Sequence, residues 1–176
     1  MKEGRLLVVL FFSLLLISGC AHISKPKSIP DLKLDTVGSF SKQLSVDLIN
    51  AQPDITQHLY AYIGFHKFYA NYNEWTKFFI DKLTEELKER GAVVVPSSPN
   101  KLKVKLSDFV FMQGFAVVRV TMKVNLEMPE KKWEKEWVAT DVSGWNAGRA
   151  FGSTIYHAIE QILKDQEIIK LLQVNG

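Results

Sequence analysis

The side chains able to catalyse a reaction or hold a metal ion are few and scattered along the 176 residues of this chain. Its histidines are His22, His58, His66 and His157. No two of them have the i, i+4 spacing that places two imidazoles on one helix face for zinc. A hydrolase would need one of them beside a nucleophile and an acid, but no G-x-S-x-G motif is present. We therefore expect no catalytic residue, no metal site and no cofactor.

Two further polar groupings have structural explanations. Acidic residues on one predicted helix lie among lysines, where i, i+4 ion pairs on an exposed face account for them. These acids are Asp81, Glu85, Glu86 and Glu89. Gly144, Gly148 and Gly152 recur every four residues beside Arg149, but without the lysine of a phosphate-binding loop. This spacing places the glycines on one helical stripe, and we expect that stripe to pack closely against a sheet.

The chemistry of the single cysteine is the most clearly indicated. Basic Lys2 and Arg5 precede an apolar stretch of twelve residues, 6–17, and the run ends in Ile17-Ser18-Gly19-Cys20. A membrane-spanning helix needs about 20 apolar residues, so the stretch is too short to span but fits an export signal. Its end resembles the bacterial lipobox. We expect cleavage between Gly19 and Cys20, with diacylglycerol on the Cys20 thiol and a further acyl chain such as palmitate.

The alternatives are an ordinary signal peptide and a short buried helix with an incidental cysteine. Ala21, not Asp, follows the cysteine. In the sorting rule of enterobacterial lipoproteins, which this chain resembles, Asp at that position retains the protein at the inner membrane. The sequence therefore predicts a lipid anchor in the outer membrane, facing the periplasm, in preference to the inner membrane.

Composition indicates a folded domain behind this leader. The chain is 47% hydrophobic and 11% aromatic, which excludes a disordered protein, and one cysteine excludes a disulfide scaffold. A net charge of +3 without a dense basic block gives no indication of nucleic-acid binding. We expect a signal peptide over 1–19, a lipidated N-terminus and tether over 20–40, and one periplasmic domain over 41–176.

The predicted tether contains Pro26 and Pro30 and has no sustained helical or strand period. Twenty residues at about 3.3 Å each would reach at most roughly 65 Å from the membrane. Leu32 and Leu34 alternate with polar neighbours, which would allow part of the tether to dock as an edge strand.

Hydrophobic periodicity in the body predicts an α+β fold. Apolar and polar residues alternate through the strand predicted over 116–128, and a helical period runs through 74–90, with Asn73 as N-cap and Gly91 after its C-terminus. The other predicted elements are strands over 44–48, 92–95, 101–112 and 132–142, a helix over about 146–164 and a short C-terminal helix. A bulge is expected near Ser107-Asp108. These elements predict a mainly antiparallel sheet of about four to five strands, with the two main helices packed on one face.

An aromatic-rich segment between the first strand and the first helix has two interpretations. It contains Tyr60, Tyr62, Phe65, Phe68, Tyr69 and Tyr72. Such side chains form contact surfaces for a protein, a glycan or a lipid. The other interpretation, which we favour, places these rings in the core, beneath a long connection that folds back over the sheet.

The block from Phe79 to Leu172 resembles the YajG-like bacterial lipoproteins. The similarity lies in LKERGAVV, LKVKLSDF, a QG turn, a long alternating strand and VSGWNAGRAFGSTIYHAIEQILKDQEII. The resemblance implies an exported, membrane-anchored α+β domain, and it supplies no substrate.

The sequence thus predicts a non-catalytic envelope lipoprotein that serves as an interaction or assembly module, with an envelope protein or the cell wall as partner. The alternative is a lipid or glycolipid carrier or chaperone. The alternative requires a cavity of several hundred Å³, lined by Tyr60, Phe65 and Phe68.

Overall fold

A computed structural model describes residues 20–144 and 146–173. The predicted signal peptide, with Gly19 on one side of the predicted cleavage point, lies outside the described residues. Within them the chain forms two sheets and three α-helices. The strands are β1 (Ala21–Ser24), β2 (Ser45–Asn50), β3 (Gln57–Ile63), β4 (His66–Asn71), β5 (Val93–Val94), β6 (Lys101–Gln113), β7 (Val118–Met128) and β8 (Trp133–Ser143). The helices are α1 (Tyr72–Glu89), α2 (Ala147–Lys164) and α3 (Gln166–Leu172). None of the described helices has the length and apolar character needed to cross a membrane.

The larger sheet has the strand order β5-β2-β6-β7-β8. The β6, β7 and β8 strands form an antiparallel meander, but β2 is parallel to both β5 and β6. The α+β class is therefore confirmed, whereas a mainly antiparallel sheet is wrong. The cause is the helical crossover through α1 between β2 and the later strands, because such a connection returns the chain in the same direction.

The core lies between one face of this sheet and helices α1 and α2. Every second residue of β7 from Val118 to Met128 is buried, and the residues between them are exposed or half-buried, as the alternation predicts. Helix α1 covers β2 and β6, and α2 covers β7 and β8. The opposite face of the sheet carries no helix in the described part of the chain.

A bulge interrupts the β6–β7 pairing between Leu106 and Asp108, as predicted. The Leu106 N–H donates to the Thr76 hydroxyl of α1 at 3.1 Å. Its carbonyl accepts from the Gln52 side-chain amide at 2.7 Å. The two backbone groups are therefore satisfied by side chains of neighbouring elements.

The aromatic segment forms part of a second sheet that the sequence interpretation lacks. Strands β3 and β4 form a hairpin, which turns at Gly64 with a φ of 59°, and β1 adds to β4 in parallel. The prediction of one sheet with a long irregular connection is therefore wrong. Aromatic side chains occur on both faces of this hairpin, so its apolar pattern lacks the alternation of a half-buried strand.

Helix α1 begins two residues earlier than predicted, because Asn71 and not Asn73 is its N-cap. The Asn71 side-chain oxygen accepts from the backbone N–H groups of Asn73 and Glu74. At the other end, Gly91 has a φ of 91° and the following N–H returns to the Leu87 carbonyl. The predicted glycine after the C-terminus is thus confirmed.

The segment predicted as a tether is packed against the domain. Residues 21–24 form β1, and Ile29, Leu32 and Val37 are buried in the same core cluster as the helices. Leu32 docks as an irregular segment, not as the edge strand that its alternation allowed, and Leu34 is exposed. The folded unit therefore begins well before residue 41.

A buried ion pair holds this segment in place. Glu86 and Arg90 are only 3% and 1% exposed, and the Arg90 guanidinium contacts the Glu86 carboxylate at 2.5 Å. The same guanidinium donates to the carbonyls of Leu32 and Val37, and the Leu32 N–H donates to Glu86. Glu86 was expected on an exposed helix face. That expectation is wrong, because the N-terminal segment covers this side of α1.

Candidate functional site

A cavity of about 260 Å³ lies between the β3–β4 hairpin, β6 and the start of α2. Its walls are mainly apolar, and Ser24, Lys25 and Lys27 are polar residues in its lining. The large side chains that line it are Ile23, Tyr60, Phe68, Trp75, Phe111 and Phe151. We call this cavity the aromatic pocket.

Tyr60 is the central ring of the pocket wall. Strand β3 directs it towards β6 and α2, and its ring centroid lies 5.6 Å from that of Phe151 and 6.2 Å from that of Phe111, both edge to face. Its hydroxyl lies 2.6 Å from the Ser24 hydroxyl. Burial raises the pKa of Tyr60, although the Ser24 hydrogen bond opposes the shift, so the phenol is neutral at physiological pH.

Trp75 carries the second polar group on a ring of the pocket wall, and this group also has a hydrogen-bond partner. The Trp75 indole N–H donates to the Ser24 carbonyl at 3.2 Å. Strand β1 thus satisfies the polar atoms of both Tyr60 and Trp75. The ring faces that remain towards the cavity are apolar, which is the character of a site for hydrocarbon.

The open side of the pocket is basic. Exposed Lys25 and Lys27 belong to its lining, and Lys27 also lines an adjoining groove of about 690 Å³. That groove contains Lys33 and Arg149 together with Asp31. The apolar cavity thus adjoins a groove in which basic side chains outnumber acidic ones.

Two glycines of α2 form the wall shared by the pocket and the groove. Gly148 and Gly152 line both, and a Cβ at Gly152 would lie 3.1 Å from the Ile29 side chain. The stripe containing Gly144, Gly148 and Gly152 was expected to pack against a sheet. That expectation is wrong, because Gly144 precedes α2 and Gly148 lines the two cavities. The close neighbour of Gly152 is Ile29, in the segment that precedes β2.

The six aromatic residues predicted as a contact surface are divided by the structure. Tyr60 and Phe68 line the pocket, while Tyr72 stacks on His58 and contacts Phe109. Tyr69 is half-buried.

The other two, Tyr62 and Phe65, are 64% and 74% exposed, and neither lines the pocket. The pocket residues that the sequence interpretation missed include Ile23, Phe111, Phe151 and the two lysines. Phe111 could have been identified from the sequence by its position in the alternation of apolar and polar residues along β6.

The histidines lie at three separate places. His22 Nε2 is 2.9 Å from His66 Nδ1, His58 is paired with Asp54, and His157 lies between Glu160 and Asp141. In the described residues no three histidine, cysteine or acidic side chains are grouped to hold a metal ion.

The surroundings of His157 also contain a serine. Burial would raise the pKa of Asp141, but hydrogen bonds from the Ser153 hydroxyl and the Val142 N–H hold it below its usual value.

Cys20 is exposed and lies at the start of β1. Its carbonyl accepts from the Lys67 N–H at 3.0 Å, which fixes its backbone beside the turn of the β3–β4 hairpin. The thiol is therefore accessible for modification at a defined position on the domain.

No protein-family model matches this sequence, and no curated protein matches it. Among solved structures, the chain is similar to a crystal structure of an uncharacterized protein, with a TM-score of 0.39 and 6% identity over 81% of this chain and 94% of that one. It is also similar to lipoprotein GNA1162 from Neisseria meningitidis, with a TM-score of 0.36 and 14% identity over 69% of this chain and 99% of that one. Structural similarity at these TM-scores supports no conclusion about the function of this chain. The resemblance to YajG-like lipoproteins therefore stays a prediction.

Proposed function

We propose that this chain is a bacterial lipoprotein, anchored by lipid on Cys20 in the outer membrane and facing the periplasm. Its domain is non-catalytic and binds an acyl chain of a lipid or glycolipid in the aromatic pocket. The observation that carries this proposal is the cavity bounded by Tyr60, Phe111 and Phe151, with Lys25 and Lys27 on its open side.

The physical basis is the match between hydrocarbon and the pocket wall. Each buried CH₂ group contributes about 0.8 kcal/mol. The 260 Å³ of the pocket lies just below the roughly 300–1,000 Å³ of common ligand sites, so it takes part of a chain. The basic groove then accommodates the remainder and favours a phosphate or carboxylate headgroup.

The test uses a soluble chain that begins at Ala21 and a pyrene-labelled phosphatidylglycerol. Gly148→Leu places a larger side chain in the pocket wall, where the nearest atom to an added Cβ is the Asn146 side-chain oxygen at 3.6 Å. We expect it to reduce lipid uptake at least tenfold. Gly38→Leu is the control, because a Cβ at Gly38 meets no atom within 4 Å. Equal uptake by all three proteins would contradict binding in the pocket.

The anchor is tested separately in cells. We expect radiolabelled palmitate on the wild-type protein and none on Cys20→Ala. We also expect Ala21→Asp to move the protein from the outer to the inner membrane, whereas Ala21→Ser leaves it in place. Absence of label on the wild-type protein would overturn the lipoprotein assignment.

The outer face of the five-stranded sheet supports a second candidate, an interaction or assembly module for an envelope protein. Val110, Val138 and Val142 are exposed there beside the Thr121–Thr140 hydroxyl pair. A photo-crosslinking residue at position 138 should then capture one defined protein that the exposed position 130 does not. Identical products from both positions would contradict this candidate.

A further inference from the structure

We propose that the end of the domain that carries Cys20 lies directly against the bilayer, with Phe65 and Phe115 inserted among the lipid headgroups. The inference rests on the lipid anchor of the proposed function. It adds an orientation and a second, non-covalent attachment to the membrane.

The topology brings the two hairpin tips to one end. Phe109 contacts Tyr72, which directly follows the far end of β4, whereas Phe111 contacts Phe68 nearer the β3–β4 turn. Strand β6 therefore runs towards that turn. Its own hairpin tip, residues 114–117, lies at the same end of the domain as Gly64 and Phe65.

Cys20 lies at this end as well. Strand β1 is parallel to β4, and Ala21 is in register with Lys67, the second residue of β4. The hydrogen bond from the Lys67 N–H to the Cys20 carbonyl holds this residue against the domain, so no flexible linker separates a lipid on Cys20 from the domain. An acyl chain on Cys20 would therefore begin beside the tip that carries Phe65.

Both tips present exposed aromatic side chains. Phe115 is 95% exposed and Phe65 is 74% exposed. Val117, in the same hairpin tip as Phe115, adds exposed apolar surface. Large apolar side chains at such positions are stabilised when they enter the boundary between headgroups and acyl chains.

The charge of this end is complementary to a bilayer surface. Residues 20–30, 57–73 and 109–121, which form most of it, contain no Asp or Glu and four basic residues, Lys25, Lys27, Lys67 and Arg119. The end of β8 and the start of α2 add one charge of each sign, Asp141 and Arg149. At the opposite end of the sheet, Glu127, Glu130, Glu134 and Glu136 are interspersed with lysines. Anionic lipid headgroups attract the first end and not the second.

The test uses the acylated full chain reconstituted on vesicles of phosphatidylethanolamine with a minority of phosphatidylglycerol. An environment-sensitive NBD group is attached to Phe65→Cys, Phe115→Cys and Glu130→Cys variants. Glu130 is the matched control, because it is exposed in the turn between β7 and β8 at the opposite end. All three positions are exposed, so we expect the substitutions to leave the fold unchanged.

At positions 65 and 115 we expect blue-shifted emission and severalfold stronger quenching by nitroxide-labelled lipid than at position 130. Mass spectrometry of the same samples reports whether Cys20 is acylated. Acylated, vesicle-bound protein with all three probes in water would overturn this inference and leave the lipoprotein proposal standing. A Cys20 without lipid would overturn both.

Discussion

The Glu86–Arg90 pair is the residue-scale feature on which the packing of the N-terminal segment depends. Removing one charge from a buried pair leaves the other uncompensated, which typically costs about 3–5 kcal/mol. We expect Glu86→Gln to lower the free energy of unfolding by that amount in denaturant titrations. Glu85→Gln is the control, since its exposed pair with Lys82 is worth at most about 1 kcal/mol. Equal losses in the two variants would contradict a special role for the buried pair.

Asp54 provides a pH-dependent prediction at the same scale. Hydrogen bonds from the Thr56 hydroxyl and N–H, followed by the neighbouring His58, lower the pKa of its carboxyl from 3.8 to about 2. Because the folded-state pKa is depressed, the stabilisation is complete above pH 4 and is lost as the pH falls through about 2. In an NMR titration we expect a midpoint near 2.

The Thr56 hydroxyl is the largest cause of that shift, so its removal should be visible. We expect Thr56→Val to raise the Asp54 midpoint towards 3.8, while Thr56→Ser leaves it near 2. A wild-type midpoint at the ordinary value for aspartate would contradict the hydrogen-bonded geometry.

Single residues were predictable where local chemistry decides them. The glycine after α1 follows from a short pattern, and Gly91 indeed has a positive φ. The burial of Glu86 was not predictable, because its neighbours in sequence are charged and only a distant segment covers it. Tyr60 and Phe68 were identified as contact residues, but their meeting with Phe111 and Phe151 depends on the tertiary fold.

At the scale of elements, the bulge in β6 depends on one hydroxyl of α1. Thr76→Val keeps the volume but leaves the buried Leu106 N–H without an acceptor, which costs about 1–3 kcal/mol. Thr76→Ser keeps the hydroxyl and should lose only about 0.8 kcal/mol for the missing methyl group. Denaturant titration of both variants distinguishes them. A valine variant as stable as wild type would contradict this role for the helix.

The helices and strands with the most regular hydrophobic period were predicted most accurately. Strand β7 and helix α2 each bury one regular face, and their bounds were predicted to within two residues. Strand pairing is different, since nothing within β2 indicates that both its neighbours run parallel to it. The β3–β4 hairpin was missed because rings on both faces conceal its period of two.

At the scale of the whole molecule, the N-terminal segment belongs to the folded unit. A soluble chain that begins at Ser41 lacks β1 and the buried side chains of Ile29, Leu32 and Val37. At about 1.5–3 kcal/mol for each buried aliphatic side chain, we expect a loss on the order of 5 kcal/mol relative to a chain that begins at Ala21. Denaturant titration measures the difference.

A chain that begins at Lys25 is the control for that truncation, because it removes only β1 and should lose much less. Superimposable unfolding curves for the chains from Ala21 and Ser41 would show that the segment is a free tether after all. The sequence suggested a tether because Pro26, Pro30 and the lysines and serines around them leave no sustained helical or strand period.

Strand β1 also determines how the domain responds to mechanical force. A pull on Cys20 away from the domain acts along the axis of β1, and the hydrogen bonds that link β1 to β4 run between the strands. Such a load shears all of these bonds together and does not open them one by one. The contacts of Arg90 with Leu32 and Val37 form a second restraint behind the strand. Tension at the membrane would therefore reach Ser24, and with it Tyr60 and the pocket wall, before it reaches the core.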